Sequence, residues 1–322
     1  MIKIRDIVGH EEQQDQLQND IEFDNVSHAY LFSGPVYLGK MSLALQFAYK
    51  LLAIDAEGEA KKDIKTAVEK RTHPDLYVLD MLWMEGTMED WNTISKYSNV
   101  PQSHRAKKPC AKTDSISIDD VRALHARLVE TGTGRFRVCI IRNVERMKDA
   151  AANAFLKILE EPPEGLVFIL TTQAKESLLP TIISRARVMS FGRVGAKDLK
   201  VFLDGVSEDD QRFILHIARG APGEVVTLRD DPDTLREHKT VHGSARIFWQ
   251  EQSLARKLSM LKPLHTRGAE ADQLLLHLGI TLREQGADEC VAHAPAYQKF
   301  VDGLHTNAHR QMLTQRFAME TR

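Results

Sequence analysis

One segment decides the fold class: AYLFSGPVYLGKM, residues 29–41. Its first five residues form an apolar run that predicts a buried strand, and the residues after it carry apolar side chains at helical spacing. The loop between them follows the phosphate-binding pattern GxxxxGK[ST], with Gly34, Gly39 and Lys40 in place. A strand, this loop and a helix in direct succession predict a nucleotide-binding α/β architecture.

The same loop is degenerate at the position that would bind a metal. Met41 stands where the pattern requires Ser or Thr, and a thioether sulfur is too soft to replace a hydroxyl on Mg²⁺. The hydroxyl of Ser42 is rotated about 100° around the helix, away from the metal. A bulky Tyr37 also lies inside the loop. The alternative at this point is a glycine-bounded strand-to-helix turn with no ligand.

A second defect follows the apolar run Val138–Ile141, which predicts another buried strand. ATPases of this kind place acids at the end of that strand to hold Mg²⁺ and orient the attacking water. Here the two positions are Arg142 and Asn143. A guanidinium repels a metal ion and a carboxamide cannot accept a proton from water, so we expect no hydrolysis by this chain.

Further apolar runs at residues 76–79, 167–171 and 188–191 alternate with helical patterns and predict a doubly wound parallel sheet. After Gly192 the patterns are helical only. We therefore predict an α/β core over 1–192, a small helical module over 193–232 and an all-α domain over 233–322. The stretch from Met84 to Ser115 lacks periodicity and is expected to be an exposed insertion.

Composition sets the broad class of the protein. The chain has 322 residues, 43% of them hydrophobic and 27% charged, with a net charge of -2. No long apolar span is present, so we expect a cytoplasmic protein without membrane contact. Three cysteines far apart in sequence, Cys110, Cys139 and Cys290, argue against a disulfide framework and a CxxC metal site.

Several segments resemble the AAA+ family of bacterial clamp loaders, and within it the delta-prime subunits of DNA polymerase III. They are DIVGHE at 6–11, SHAYLFSGP at 27–35, HPDL at 73–76, Met147 with AANAFLKILEEPP at 151–163, and LLPTIISRAR at 178–187. The resemblance implies an AAA+ core, a helical lid and a C-terminal collar for oligomerisation. It also implies gamma/tau-type ATPase and delta-type partners in a heteropentamer, which acts on a sliding clamp and primed DNA.

The resemblance gives a role to Ser184 and Arg185, which match the Ser-Arg pair that acts as an arginine finger in trans. Such a guanidinium neutralises charge on the γ-phosphate bound by the neighbouring subunit. The alternative is a surface arginine at a helix C-terminus. Glu224 falls where active relatives place a sensing arginine, and Thr172 falls at the end of the sensor strand.

No cofactor is expected, because ATP would be bound by the partner subunits. The family's zinc-binding cysteine cluster has no counterpart in the stretch Glu57–Arg71, so zinc is not expected either. The pairs His238/His242 and His305/His309 have metal-ligand spacing on a helix but show no third ligand. The basic residues Arg105, Lys107, Lys108 and Lys112 are interpreted as solvated loop charge, with contact to DNA as the alternative.

The sequence thus predicts a non-hydrolysing clamp-loader stator that lends Arg185 to a neighbour. Two alternatives stay open at this point. One is an active ATPase with an unusual metal-free site, and the other is an inert assembly scaffold.

Overall fold

The computed structural model describes residues 7–84, 91–106, 113–130 and 132–321. Asp6, Lys107, Lys108, Cys110 and Lys112 lie outside the described residues, so the interpretations that involve them stay predictions. The chain divides into two compact units. The first comprises residues 1–204 and 218–224, and the second comprises 205–217 and 225–322. The boundaries of the predicted three-part division remain a prediction.

Within the described residues the first unit contains one five-stranded parallel sheet. Its strands are β1 Ala29–Ser33, β2 Leu76–Leu79, β3 Arg137–Ile141, β4 Leu166–Thr172 and β5 Arg187–Ser190. They lie in the order β2-β3-β4-β1-β5, and every pair is parallel. This sheet, with helices on both faces, confirms the predicted doubly wound α/β class.

The helices of the first unit connect these strands. They are α1 Glu11–Glu22, α2 Lys40–Leu52, α3 Gly58–Lys70, α4 Trp91–Ile94, α5 Ser103–Ala106, α6 Ile118–Leu128, α7 Asp149–Glu160, α8 Pro180–Ile183 and α9 Ala196–Leu199. Helix α6 begins with a capping box, in which Ser117 and Asp120 each bond the other's backbone N–H. Helix α3 occupies the stretch where the family's cysteine cluster would lie.

Strands β1 to β4 are buried on both faces, which explains why they are nearly continuous apolar runs, whereas the edge strand β5 is partly exposed. Alternate residues of β1 point to opposite sides: Tyr30 contacts the aromatic ring of Phe47 in α2, while Leu31 belongs to the core on the other side. On that other side Phe155 of α7 packs edge-on against Phe168 of β4 at 5.3 Å between ring centroids. The two cores fix the orientation of the strands and of the loops that follow them.

The segment predicted as an exposed insertion is packed in its described part, so that prediction is wrong there. Ile94, Ser98 and Val100 are fully buried or nearly so. The side chain of Asn99 makes two hydrogen bonds to the backbone of β2. Its oxygen accepts from the N–H of Val78, and its NH₂ group donates to the carbonyl of Leu76. The segment therefore covers an otherwise open sheet edge, as proteins commonly require.

The second unit is helical in its described residues. Helices α10 Glu208–Ala218 and α11 Pro222–Asp230 each include residues assigned to both units. The α-helices that lie wholly in the second unit are α12 Pro232–Gln250, α13 Leu254–Met260, α14 Ala269–Glu284, α15 Ala287–Leu304 and α16 Arg310–Glu320. Phe300 and Phe317 stack in its core at 4.4 Å between centroids. Among the described residues, no helix is both long and apolar enough to cross a membrane.

Candidate functional site

The carboxyl ends of the parallel strands place the predicted site residues at one edge of the sheet. Ser33 aligns with Thr172, and Ile141 aligns with Leu79 and Leu170. The residues that follow β1, β2 and β3 therefore meet at this edge, where open α/β sheets bind ligands. They are the loop from Gly34 to Lys40, then Asp80, then Arg142 with Asn143.

The loop between β1 and α2 has the backbone that its glycines predict. Gly34 has φ 151° and Gly39 has φ 86°, and Tyr37 adopts φ 62° in the left-handed region, uncommon for a bulky residue. A Cβ on Gly34 would lie 2.5 Å from the carbonyl oxygen of Phe191, so only glycine fits there. The predicted turn is therefore built, with a strained tyrosine at its tip.

Lys40 turns back onto this loop. Its ammonium donates to the carbonyl oxygens of Gly34 and Pro35, each at 2.5 Å, and the side chain is buried. Burial lowers the pKa of Lys40 to about 8; the nearby Glu145 raises it and Arg142 lowers it further. The charge that would bind a phosphate is engaged by the loop's own carbonyl groups.

The loop tip is also bonded to the chain that opens α11. The N–H of Gly223 donates to the carbonyl of Tyr37 at 2.8 Å, and a Cβ on Gly223 would lie 3.0 Å from that oxygen. The next residue is Glu224, and burial raises the pKa of its carboxyl. A carboxyl group at this place cannot neutralise a phosphate as an arginine would.

Arg142 is held by an acid that sequence reasoning missed. Its Nη1 donates to both carboxylate oxygens of Asp80, at 3.0 and 3.2 Å. Burial raises the pKa of Asp80, and the Arg142 guanidinium opposes that rise. The available signal was the acid directly after the apolar run 76–79. The ion pair fixes a positive charge at the end of β3 and occupies the nearest buried carboxylate.

A second acid at this edge was also missed. One carboxylate oxygen of Glu145 accepts from the N–H of Gln173 at 3.1 Å, while Oε2 is buried without a hydrogen-bond partner among the described residues. Its effect on the pKa of Lys40 places it near the ammonium. Glu145 lies two residues after Asn143 and was overlooked because the motif ends before it.

The other predicted residues of this edge make structural contacts. Asn143 has φ 53° and its N–H donates to Thr171 Oγ1 at 3.0 Å. Thr172 Oγ1 accepts from the N–H of Ala174, so this hydroxyl completes the end of β4. Met41 packs against the apolar core beneath the sheet. None of these three contacts provides an oxygen for a metal.

The predicted finger lies apart from the loop, at the end of α8. Arg185 donates to the carbonyl of Thr181 at 3.1 Å and to Glu160 at 2.8 Å, and its side chain is 34% exposed. Ser184 Oγ donates to the same carbonyl at 3.1 Å. The guanidinium is therefore ordered but reachable from solvent.

The interpretation of Arg105 as solvated loop charge is wrong. Its guanidinium is buried and donates to both oxygens of Asp120, at 2.7 and 2.5 Å. A third bond reaches the carbonyl of Ser115. Arg105 therefore anchors α5 to the start of α6 and cannot bind DNA phosphate in this conformation.

The histidine pairs also differ from expectation. His305 follows the end of α15 and His309 precedes α16, so they do not share a helix face. His242 of α12 does have further polar neighbours, because His216 and Glu284 approach it from other helices. These groups surround His242 and not the pair, because His238 Nδ1 contacts His277 instead, so the expectation about the pair stays a prediction.

A cleft of about 850 Å³ lies in the second unit. Its floor includes Phe248, Leu274 and Leu278, and its rim includes Arg236 and Glu270. It adds an apolar surface to the helical unit but no catalytic group.

Comparison with known proteins gives a consistent family. The sequence model of the family described as "DNA polymerase III, delta subunit" matches residues 9–195. DNA polymerase III subunit delta' of Bacillus subtilis is 26% identical over 252 residues, which are 73% of this chain and 67% of that protein. Subunit delta' of Pseudomonas aeruginosa is 35% identical over 165 residues, 49% of this chain and 41% of that protein.

A gamma/tau subunit of DNA polymerase III is similar as well. DNA polymerase III subunit gamma/tau of Mycobacterium bovis is 29% identical over 234 residues, which are 70% of this chain. The match spans 36% of the length of that relative.

Proposed function

This chain belongs to the family of the DNA polymerase III delta subunit, and we propose that it is a delta-prime-like clamp-loader subunit that does not hydrolyse ATP. In this proposal it assembles with gamma/tau-type ATPase subunits and a delta-type subunit, and it contributes Arg185 to the ATP site of a neighbour. The assembly then opens a sliding clamp and places it on primed DNA.

The proposal that this chain does not hydrolyse ATP rests on one observation, the ion pair between Arg142 and Asp80. It keeps a guanidinium where Mg²⁺ would have to bind, and it uses the buried acid that could otherwise hold the metal. A divalent ion placed there would meet a positive charge at close range, and electrostatic repulsion would oppose its binding. Met41 removes the hydroxyl ligand on the other side.

The exposure of Arg185 supports the finger. Its present partner Glu160 has a side chain 49% exposed, so their ion pair is a surface contact. Such pairs contribute about 0.2–1 kcal/mol, whereas an arginine finger accelerates phosphoryl transfer by about 10³–10⁵-fold, equivalent to about 4–7 kcal/mol. The guanidinium can therefore leave Glu160 for a γ-phosphate with a large net gain.

Reconstitution tests the proposal. The chain is combined with the partner ATPase and delta-type subunits, the clamp and primed DNA, and ATP hydrolysis is measured. We expect Arg185→Ala to slow hydrolysis at the site it serves by about 10³-fold, while Lys40→Ala leaves the rate nearly unchanged. Arg122→Ala removes an exposed arginine of α6 and is the matched charge control.

Two outcomes separate the alternatives. Equal, small effects of Arg185→Ala and Lys40→Ala, in complexes shown by size-exclusion chromatography to be intact, would favour an inert scaffold. Hydrolysis of Mg²⁺-ATP by the purified chain alone, abolished by Glu145→Gln, would favour an active site that uses the unpartnered oxygen of Glu145. Either result would remove the proposal.

A further inference from the structure

Five side chains that can bind a metal or a proton gather inside the second unit, remote in function from the clamp-loader residues. They come from three helices: His216 from α10, His238 and His242 from α12, and His277 and Glu284 from α14. The degenerate loop and Arg185 belong to the first unit, so nothing in the proposed function explains this cluster.

Three of these groups present their ligand atoms to a common point. Glu284 Oε1 lies 2.6 Å from His216 Nε2 and 3.3 Å from His242 Nε2. All three ligand atoms lie within 4.8 Å of one another. Zinc binds such atoms at about 2.0–2.2 Å, which places neighbouring ligands of a tetrahedron about 3.3 Å apart. The spacing therefore requires only small side-chain movements to enclose an ion.

Two buried histidines, His277 and His238, continue from His242 in a chain of hydrogen bonds. His242 Nδ1 lies 3.2 Å from His277 Nδ1, and His277 Nε2 lies 3.0 Å from His238 Nδ1. If each imidazole donates toward the next, a proton is on His242 Nδ1 and the lone pair of Nε2 faces Glu284. Such hydrogen bonds to the second nitrogen are the usual support of a metal-binding histidine.

A basic neighbour holds the carboxylate of Glu284 in place. Arg246 donates to Glu284 Oε2 at 2.8 Å and leaves Oε1 toward the histidines. The carboxylate therefore presents one oxygen to the ring nitrogens of His216 and His242.

Other charged groups near the cluster do not fill the position. Lys239 of α12 bonds Asp210 of α10, and its ammonium lies over the ring of Phe213. Phe213 in turn packs edge-on against His242 at 5.4 Å. The aromatic ring and the imidazoles form the dry side of the site, while His216 and Glu284 reach solvent.

We propose that His216, His242 and Glu284 bind one divalent transition-metal ion of the zinc type, with a fourth position open to water. Two imidazoles and a carboxylate suit zinc and its neighbours rather than Mg²⁺ or Ca²⁺, which prefer oxygen ligands. The ion links α10 to α12 and α14, so it stabilises the second unit. This inference does not depend on the proposed clamp-loader role.

Metal binding to the full-length, tag-free chain tests the proposal. The protein is freed of metal with a chelator, the chelator is removed, and zinc is titrated by calorimetry while cobalt is followed by its visible absorption. We expect one ion per chain and the intense spectrum of four-coordinate cobalt. Zinc should also raise the melting temperature of the chain.

The decisive variants are His216→Ala and Glu284→Gln, because both side chains are at the solvent edge and their loss should leave the fold intact, as circular dichroism would verify. Each should weaken zinc binding by more than the roughly 10–100-fold that loss of a supporting hydrogen-bond partner causes. The control is His305→Ala/His309→Ala, which removes two exposed histidines outside the cluster. Failure of the wild-type chain to bind zinc at submillimolar concentration, or undiminished binding by His216→Ala and Glu284→Gln, would overturn the proposal.

Discussion

Replacement of Arg142 by alanine tests whether the ion pair between Arg142 and Asp80 stabilises the folded first unit. The change removes the hydrogen-bonded partner of Asp80, whose side chain is only 3% exposed. Loss of one partner from a buried ion pair typically destabilises a protein by about 3–5 kcal/mol. Arg142 itself is 44% exposed, so water can enter and partly solvate Asp80. We therefore expect a loss of about 2–3 kcal/mol from the free energy of unfolding of the first unit.

The double variant Asp80→Asn/Arg142→Ala tests whether the unpaired charge of Asp80 causes the loss of stability. Asparagine removes the buried charge that Arg142→Ala leaves behind, so the double variant should be more stable than Arg142→Ala alone by about 1–2 kcal/mol. Arg142→Asp should be worse than alanine, because it places a second carboxylate beside Asp80. The acid of an active ATPase therefore cannot be restored here by one substitution.

The pH response has a definite sign. Burial already raises the pKa of Asp80, and loss of the guanidinium raises it further. The folded state of Arg142→Ala then binds a proton more tightly than the unfolded state does. The free energy of unfolding of Arg142→Ala, relative to wild type, should fall as pH rises from the ordinary pKa of an aspartate to the raised pKa of Asp80. It should recover as pH falls.

Stability of the first unit is measured by guanidinium denaturation and by hydrogen exchange of peptides from β2 and β3, which separates it from the helical unit. Arg122→Ala, an exposed charge loss on α6, should change stability by less than about 0.5 kcal/mol. A change as small as that in Arg142→Ala, or a double variant no more stable than Arg142→Ala, would refute the reasoning.

Two further predictions concern stability alone. Burial would raise the pKa of Asp120, but hydrogen bonds from Arg105 and Ser117 hold that pKa at about 2. The lowered pKa contributes about 2 kcal/mol to the free energy of unfolding, and this contribution is complete above pH 4 and lost as pH falls toward 2. An acid titration of Asp120→Asn should therefore lack that part of the wild-type transition. Gly34→Ala should lower the melting temperature more than Gly39→Ala, because its Cβ would meet the carbonyl of Phe191 whereas that of Gly39 would meet open space; equal losses would show that only the positive φ matters.

Strands β1 to β4 could be predicted because they are buried on both faces, and such strands are nearly continuous apolar runs in the sequence. The predicted bounds of β1 and β2 match the structure, and the capping box of α6 is a local pattern of four residues. These elements depend on neighbours in sequence. The loop from Gly34 to Lys40 was predictable for the same reason.

The packed segment after Met84 was not predictable, because its contacts have no period. Its described helices α4 and α5 are four residues each, and isolated buried residues such as Ile94 and Val100 lie between polar ones. The segment is held by side-chain bonds to distant backbone, as Asn99 shows at the edge of β2. Arg105 looked solvated for a related reason, since its partner Asp120 belongs to another element.

The site residues that were missed share this property. Asp80 is separated from Arg142 in sequence by helices α4, α5 and α6 and by strand β3, and their pairing follows only from the parallel register of β2 and β3. His216 and Glu284 reach His242 from two other helices. A rule based on sequence spacing recognises metal ligands that share one helix. It does not recognise ligands that other helices contribute in the tertiary structure.

Burial separates the three cations that matter for the proposed function. Lys40 is itself buried and bonds the loop carbonyls, and Arg142 is bound to the buried Asp80. In the proposed function, a triphosphate with its metal would have to displace both, at a cost of several kcal/mol. Arg185 is bound to a half-exposed Glu160, and its release costs no more than about 1 kcal/mol. This difference in cost is what the proposal requires: the chain's own site resists nucleotide, while Arg185 can move toward a phosphate on a neighbouring subunit.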